Sequence, residues 1–109
     1  MSNTAAAENR IFHALADPSR RAIFESLTRG EAAVKELTAK FDISQPAVSQ
    51  HLATLRAAGL VWGRKAGRSV YYRVDPEGLK PLTDWIQHYR AFWTERIDRL
   101  EGLLERMDP

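Results

Sequence analysis

The stretch of sequence with the clearest chemical potential runs from Ile43 to Leu60 and predicts a helix with one polar side. Ser44 is a suitable N-cap residue, Pro46 is tolerated in a first turn, and Gly59 lies where a helix should end. The polar side carries amide, hydroxyl and guanidinium groups, from Gln45, Ser49, Gln50 and Arg56. Such groups near a helix N-terminus can hydrogen-bond base edges in the major groove of DNA.

The other side of the same predicted helix is apolar, because Val48, Leu52 and Leu55 recur at helical spacing. A buried helix does not need a polar face, and a fully solvated helix usually carries Glu and Lys there. An ordinary surface helix with few charges is nevertheless the alternative to DNA recognition. Helix-turn-helix patterns are short and match by chance, so this stretch alone leaves both interpretations open.

The distribution of charge along the chain favours a polyanionic partner. Residues 44–74 contain five cations and no acidic residue, whereas residues 1–43 are balanced and residues 75–109 are net acidic. The five cations are Arg56, Arg64, Lys65, Arg68 and Arg73. A local positive field that coincides with a candidate recognition helix is the expected footprint of a nucleic-acid-binding protein.

Length and composition limit the class of protein. The 109 residues are 44% hydrophobic and 28% charged, which indicates one globular domain over residues 1–109. The chain has no apolar run long enough to span a bilayer and no secretory signal pattern at its start. It has no cysteine, so disulfides and thiolate metal sites are excluded. We therefore expect a cytoplasmic protein.

The elements that would position this stretch are predicted to be mainly helical. Three short helices are expected before the candidate recognition helix at about 45–58, with a tight turn at 42–44. Their expected ranges are about 6–16, 18–29 and 33–41. Asp17 is expected to cap the second helix, with Pro18 at its first position and Ala22, Ile23 and Leu27 facing inward. A short helix, a tight turn and a helix with a polar outer face together predict a helix-turn-helix.

A β-hairpin is predicted after Gly59, because residues 60–66 and 69–74 are enriched in Val, Tyr and Trp. Its tip carries Arg64, Lys65 and Arg68 around a glycine. These cations could serve only solubility, but their position beside the candidate recognition helix favours a wing that contacts DNA phosphates or the minor groove. The whole wing is expected at about 61–74.

The last helix is predicted from about Lys80 to Met107, because Pro81 prevents a continuous helix from Pro76. Its apolar positions form a long stripe that a chain of this size has little core to cover. We expect the stripe to form a dimer interface together with the first helix, since an exposed patch of that size would be a liability in a monomer. The predicted interface residues are Ile11, Phe12, Leu15, Trp85, Tyr89, Phe92, Trp93, Ile97, Leu100 and Leu104.

Three motifs resemble the ArsR/SmtB family of bacterial winged-helix repressors: residues 15–21 (LADPSRR), 43–52 (ISQPAVSQHL) and 55–61 (LRAAGLV). Gly67-Arg68 followed by Tyr71-Tyr72 resembles the family's wing, and the match covers about residues 8–107. The resemblance implies a winged helix-turn-helix fold of order α-α-α-α-β-β-α. It also implies a homodimer through the first and last helices that represses transcription from a pseudo-palindromic double-stranded DNA operator.

Carried over by position, the resemblance implies a set of DNA-binding residues. The helix N-terminus would read bases, and the wing cations would hold the DNA backbone. The set comprises Ser44, Gln45, Pro46, Ser49, Gln50, His51, Arg56, Arg64, Lys65 and Arg68. His51 could bond a phosphate or cap the inside of the motif, and Arg56 could contact a phosphate or be solvated. Arg20 and Arg21 could face DNA or form a structural salt bridge.

The sequence departs from the family at its metal sites. Many members carry two cysteines just after a Glu-Leu in the third helix, but here Glu36-Leu37 is followed by Thr38, Ala39 and Lys40. Asp84 and His88 lie one turn apart on the last helix, yet two ligands are too few for a specific zinc site, so we interpret them as a surface pair. We expect no metal or other cofactor.

Two other classes of function fit the sequence less well. A winged helix can serve as a protein-interaction module without nucleic acid, but the acid-free stretch at 44–74 argues against that. The sequence contains no nucleophile with a paired base, no glycine-rich phosphate loop and no grouped carboxylate pair, so we expect no enzyme activity.

Overall fold

Four helices and a small sheet surround one hydrophobic core, and a fifth helix extends away from it. The computed structural model describes residues 3–107. The elements are α1 (Asn3–Ala16), α2 (Pro18–Leu27), β1 (Ala32–Ala33), α3 (Val34–Phe41), α4 (Gln45–Ala57), β2 (Val61–Ala66), β3 (Ser69–Val74) and α5 (Lys80–Met107). The element order confirms the predicted fold class. Residues 1, 2, 108 and 109 of the predicted domain lie outside the described part.

Side-chain caps fix where two of the helices begin. The Asp17 carboxylate accepts a hydrogen bond from the Arg20 backbone N–H at 2.9 Å, and Pro18 follows it in the first turn of α2. The Ser44 hydroxyl accepts from the Ala47 backbone N–H at 3.2 Å, and Pro46 lies in the first turn of α4. Each cap satisfies an amide that the helix itself leaves unpaired, which is why both starts could be read from the sequence.

The hairpin is part of a three-stranded antiparallel sheet of order β1-β3-β2, and the first strand was not predicted. β1 is only two residues long, with Ala32 opposite Tyr72 and Ala33 opposite Tyr71. Alanine has a low strand propensity, so nothing local marks this segment as extended. Its conformation depends on β3, which reaches it only after the chain has folded.

The core lies between the apolar side of α4 and the three helices before it. Val48, Leu52 and Leu55 are fully buried, as their spacing predicted. They pack with Ile11, Ala14, Ile23, Phe24, Leu27, Leu37, Leu60 and Val61. In α2, Ile23 and Leu27 are buried as predicted and Ala22 is half-buried, while Phe24, which was not predicted, is also buried.

Helix α5 begins after a turn at residues 75–79, as Pro81 predicted, and Leu79 and Leu82 pack against the core. Beyond Leu82 no residue of α5 up to Met107 is buried. The described chain is therefore elongated, with extents of 68 × 36 × 19 Å. No helix over residues 3–107 combines the length and the apolar character that a membrane span requires.

Candidate nucleic-acid interface

The exposed side of α4 divides into three sectors around the helix axis. Pro46 and Gln50 are exposed on the side opposite the core residues. Gln45 and Ser49 lie on the flank that faces the hairpin, where both line a cleft. His51 lies on the other flank and is half-buried. The outer sector and the hairpin flank therefore present short polar side chains near the helix N-terminus, the geometry that base reading requires.

The cleft beside α4 has a volume of about 500 Å³ and separates the helix N-terminus from the hairpin tip. Its polar wall combines Gln45 and Ser49 with two cations, Lys35 and Arg68. Apolar and small residues complete the lining: Ala33, Val34, Ser69 and Val70. Amide and hydroxyl groups next to two cations are the groups that proteins use to bind DNA phosphates.

Lys35 was missed by the sequence reasoning. It lies in the first turn of α3, in a segment whose charges are balanced, so neither local charge nor helical spacing distinguishes it. Only the packing of α3 against α4 and β3 brings it to the cleft. Lys35 therefore adds α3 to the surface that the recognition helix and the wing were expected to form alone.

Two of the predicted DNA-binding residues, Ser44 and His51, have side chains that interact with the domain itself. The Ser44 hydroxyl caps α4, so it is occupied within the helix. The Nδ1 atom of His51 is buried without a hydrogen-bond partner among the described residues. His51 also lies close enough to Asp17 to help lower the pKa of that carboxyl, although the main cause is the hydrogen bond from the Arg20 backbone N–H. The His51 side chain therefore extends from α4 toward the start of α2.

The wing cation Arg64 forms an ion pair within the domain. Its guanidinium donates two hydrogen bonds to the Glu31 carboxylate, from Nε at 2.9 Å and from an Nη atom at 2.6 Å. It also lies over the Tyr71 ring, 5.1 Å from the centroid. The pair lowers the pKa of Glu31 and raises the pKa of Arg64, because each charge stabilises the other. Arg64 is therefore already paired in the free protein.

The other hairpin cations differ in their surroundings: one stacks on an aromatic ring, and two are exposed near the tip. Arg73 lies over the exposed Trp62 ring, 4.6 Å from its centroid, and the two residues face each other across β2 and β3. Lys65 and Arg68 are exposed near the hairpin tip, and Gly67 between the strands has a φ of 62°. Lys65 and Arg68 are the wing cations best placed to reach a polyanion.

Within residues 3–107, neither Arg20 nor Arg21 forms a salt bridge, and both guanidinium groups bond backbone carbonyls. Arg20 donates to the backbone carbonyls of Ala14 at 2.7 Å and His13 at 3.1 Å. Arg21 donates to the carbonyls of Leu15 at 2.7 Å and Ala16 at 3.1 Å. The salt-bridge alternative is therefore not observed, whereas a DNA contact stays a prediction: these cations cap the C-terminus of α1, where unpaired carbonyls favour positive charge. Arg56 is exposed in the last turn of α4, away from its N-terminus.

Most of the predicted dimer residues form one exposed apolar face. Phe12 of α1 contacts Trp85 of α5 edge-on, with ring centroids 5.2 Å apart. The exposed members of the face are Phe12, Trp85, Ile86, Tyr89, Phe92, Trp93, Ile97, Leu100, Leu103, Leu104 and Met107. The prediction that Ile11 lies in the dimer interface was wrong, because its side chain is only 1% exposed and lies in the core of its own protomer. Leu15 packs partly against the same core.

The last helix offers no metal site of its own. Asp84 and His88 are both exposed, and the His88 ring lies edge-on to Tyr89 at 5.1 Å. Over residues 3–107, no group of three or more His, Cys, Asp or Glu side chains is placed to hold a metal ion. The structure therefore brings no third ligand to the surface pair within one protomer.

Comparisons with known proteins converge on one family. Residues 17–62 match the family model of bacterial regulatory proteins of the arsR family. The chain is 42% identical over 97 residues to the HTH-type transcriptional regulator Rv2034 of Mycobacterium tuberculosis, covering 89% of this chain and 88% of that protein. It is 30% identical to the transcriptional repressor SdpR of Bacillus subtilis, covering 74% of this chain and 90% of SdpR. The crystal structure of an ArsR family transcriptional regulator superposes with a TM-score of 0.76 at 33% identity, covering 86% of this chain and 97% of that one.

Proposed function

The chain belongs to the arsR family of DNA-binding bacterial transcriptional regulators, and from this premise we propose that it is a homodimeric repressor of a two-fold symmetric operator. Two copies joined through α1 and α5 would each place α4 in a major groove. The observation that carries the proposal is the exposed polar N-terminus of α4 beside a cleft lined by Lys35 and Arg68. The relative SdpR is named a transcriptional repressor, which supports repression rather than activation.

Base reading is assigned to the N-terminal half of α4. Gln50 projects from the outer sector, and its amide can donate and accept, as bidentate contacts with adenine require. Gln45 and Ser49 face the cleft and can reach the strand that enters it. Pro46 adds an apolar contact at the helix start. Ser44 serves these residues indirectly, because its cap fixes the first turn.

Phosphate binding is assigned to cations around that helix. Lys35 and Arg68 line the cleft, and Lys65 is exposed near the hairpin tip. Arg56 could meet the backbone at the far end of α4. Arg64 can contribute only if DNA competes with Glu31 for its guanidinium. The cations would position the protein on the duplex without reading sequence.

Dimerisation is assigned to the apolar face of α5 with Phe12 of α1. Trp93, Ile97 and Leu100 are 59%, 51% and 55% exposed, and together with their neighbours they form a continuous patch along a 28-residue helix. Such a patch is larger than monomeric proteins usually leave exposed. A second copy offers the same apolar face, and a two-fold arrangement would bury both at once.

Metal sensing through thiolates is excluded from this proposal, since the chain has no cysteine. Asp84 and His88 would need ligands from a partner, but the residues one to two heptads further along α5, Ile97 and Leu100, are apolar. We therefore propose that repression does not respond to a metal at either of the sites familiar in this family. An effector of another kind remains compatible with the surface.

The proposal is tested by selecting binding sites for the full chain from a random duplex library and measuring affinity by fluorescence anisotropy. We expect paired, inverted half-sites about 10 base pairs apart, centre to centre. We also expect affinity to fall steeply with salt, because neutralised phosphates release counterions. Failure to enrich any duplex, or an affinity that hardly changes between 50 and 200 mM salt, would instead favour a protein-interaction module.

A further inference from the structure

The turn before α5 rests directly on the C-terminal end of α4, backbone against backbone. A Cβ atom on Gly78 would lie 2.0 Å from the carbonyl oxygen of Gly59 and 3.1 Å from the Cα atom of Leu60. No real Cβ atom approaches another heavy atom that closely, and the atoms in the way belong to the backbone. Only glycine at position 78 therefore allows this contact.

The residues on both sides of the contact are held in place. Gly59 ends α4 with a φ of 79°, and Leu60 is fully buried. The Asp75 backbone N–H donates to the Leu60 carbonyl at 3.0 Å, and the Gly78 N–H donates to the Asp75 carbonyl at 3.0 Å. The Asp75 carboxylate also accepts from the Glu77 N–H at 3.0 Å. The start of α5 is thus tied to the end of α4 without an intervening flexible side chain.

We propose that the Gly59–Gly78 contact sets the angle between α4 and α5, and thereby the half-site separation that the dimer prefers. The inference rests on the proposed function, in which α4 enters the groove and α5 joins the protomers. In that arrangement the two α4 helices are positioned relative to each other through the packing of each α4 on α1 and through its connection to α5, the two helices that join the protomers. Gly78 is then a specificity-determining residue that does not contact DNA.

The expected displacement is comparable to one base-pair step. To accept a Cβ atom at position 78, the Gly59–Gly78 contact must open by at least about 1 Å. Because a helix is about 11 Å wide, this opening tilts α4 relative to α5 by about 5°. At the N-terminus of α4, about 20 Å away at 1.5 Å per residue, that tilt moves Gln45 by about 1.7 Å. Symmetry doubles the displacement to about 3.5 Å, close to the 3.4 Å rise of a base pair.

The test is the same selection from a random duplex library, performed with wild type, Gly78→Ala and Gly102→Ala. Gly102→Ala is the matched control. Gly102 also lies in the last part of the chain, in α5, and its added Cβ atom would meet nothing within 4 Å. We expect Gly78→Ala to select the same half-site sequence at a separation altered by about one base pair, or spread over several separations. Gly102→Ala should select the wild-type separation.

An unchanged separation for Gly78→Ala, with the fold verified by circular dichroism, would overturn the inference. If Gly78→Ala does not fold, the same selection is performed with Asp75→Ala. This substitution removes the carboxylate that orders the turn and introduces no clash. A broadened separation with Asp75→Ala supports the inference, and a wild-type separation refutes it. If wild type itself selects no paired half-sites, the proposed function fails first, and that result is distinct from an unchanged spacing in the variants.

Discussion

In the proposed complex, Gln50 and Arg68 would offer a DNA duplex different chemistry, although both residues are exposed on the same side of the domain as the cleft. The Gln50 amide has a donor and an acceptor at fixed positions, so it can distinguish one base edge from another. The Arg68 guanidinium lines the cleft and carries a charge that any phosphate satisfies. At this scale, residue type determines whether a contact contributes specificity or affinity.

We predict that Gln50→Ala lowers the preference for the selected half-site over mismatched duplexes by about 1–3 kcal/mol, the value of one good base contact. Arg68→Ala should instead weaken binding to all duplexes alike and reduce the salt slope by about one. Anisotropy titrations with matched and mismatched duplexes at several salt concentrations measure both effects. The division of roles would be wrong if the two variants lost specificity equally.

At the scale of elements, an ion pair links the wing to the segment that precedes β1, in addition to the pairing of β3 with β1. Glu31 precedes β1, and its bond to Arg64 of β2 spans the sheet across 33 residues of sequence. Glu31 has a lowered pKa in the folded protein, so the pairing is present above the usual pKa of a glutamate and is lost as pH falls through the lowered value. The same carboxylate competes with phosphate for Arg64.

We predict that Glu31→Gln increases affinity for non-specific duplex severalfold at low salt and steepens the salt slope, because Arg64 becomes available to phosphate. Glu25→Gln is the control, since it removes the same charge from an exposed position on α2. The effect of Glu31→Gln should largely disappear in an Arg64→Ala background, as coupled partners require. Equal gains in both backgrounds would mean that only net charge matters.

At the scale of the whole molecule, α5 determines the shape and the proposed assembly. The helix extends a 19-Å-thick domain to a length of 68 Å and leaves its apolar face exposed. Arg96 interrupts that face and lies over the Phe92 ring, 4.1 Å from the centroid. Stacking on an aromatic ring lets a guanidinium remain within an apolar surface while its edge stays solvated.

We predict that Leu100→Glu converts the protein from a dimer to a monomer, because a carboxylate in the centre of the apolar face would be desolvated without a partner. Light scattering should change from about 25 kDa, twice the 12.4 kDa chain, to the mass of one chain. Gln87→Glu places the same charge on the polar side of α5 and should remain dimeric. A wild-type protein of one chain mass at micromolar concentration would refute the proposed assembly.

The sequence by itself determined the features that depend on near neighbours. Ser44, Asp17 and the two prolines that follow them fix helix starts within one turn, and Val48, Leu52 and Leu55 identify the buried side of α4 by their spacing. The acid-free stretch and the long apolar stripe were equally visible, because charge and periodicity accumulate along contiguous residues. Together with the three motifs that resemble the ArsR/SmtB family, these features predicted the fold class and a DNA-binding transcriptional regulator.

The tertiary structure decided everything that depends on residues distant along the chain. It pairs Arg64 with Glu31 and brings Lys35 to the cleft. It also buries Ile11 and places Gly78 in contact with the backbone of Gly59. It also makes Arg20 and Arg21 caps of the preceding helix, since the turn at Asp17 folds α2 back onto the end of α1. Packing brings these groups together only after the helices have formed, and a side chain with several possible partners does not reveal in the sequence which one it will meet.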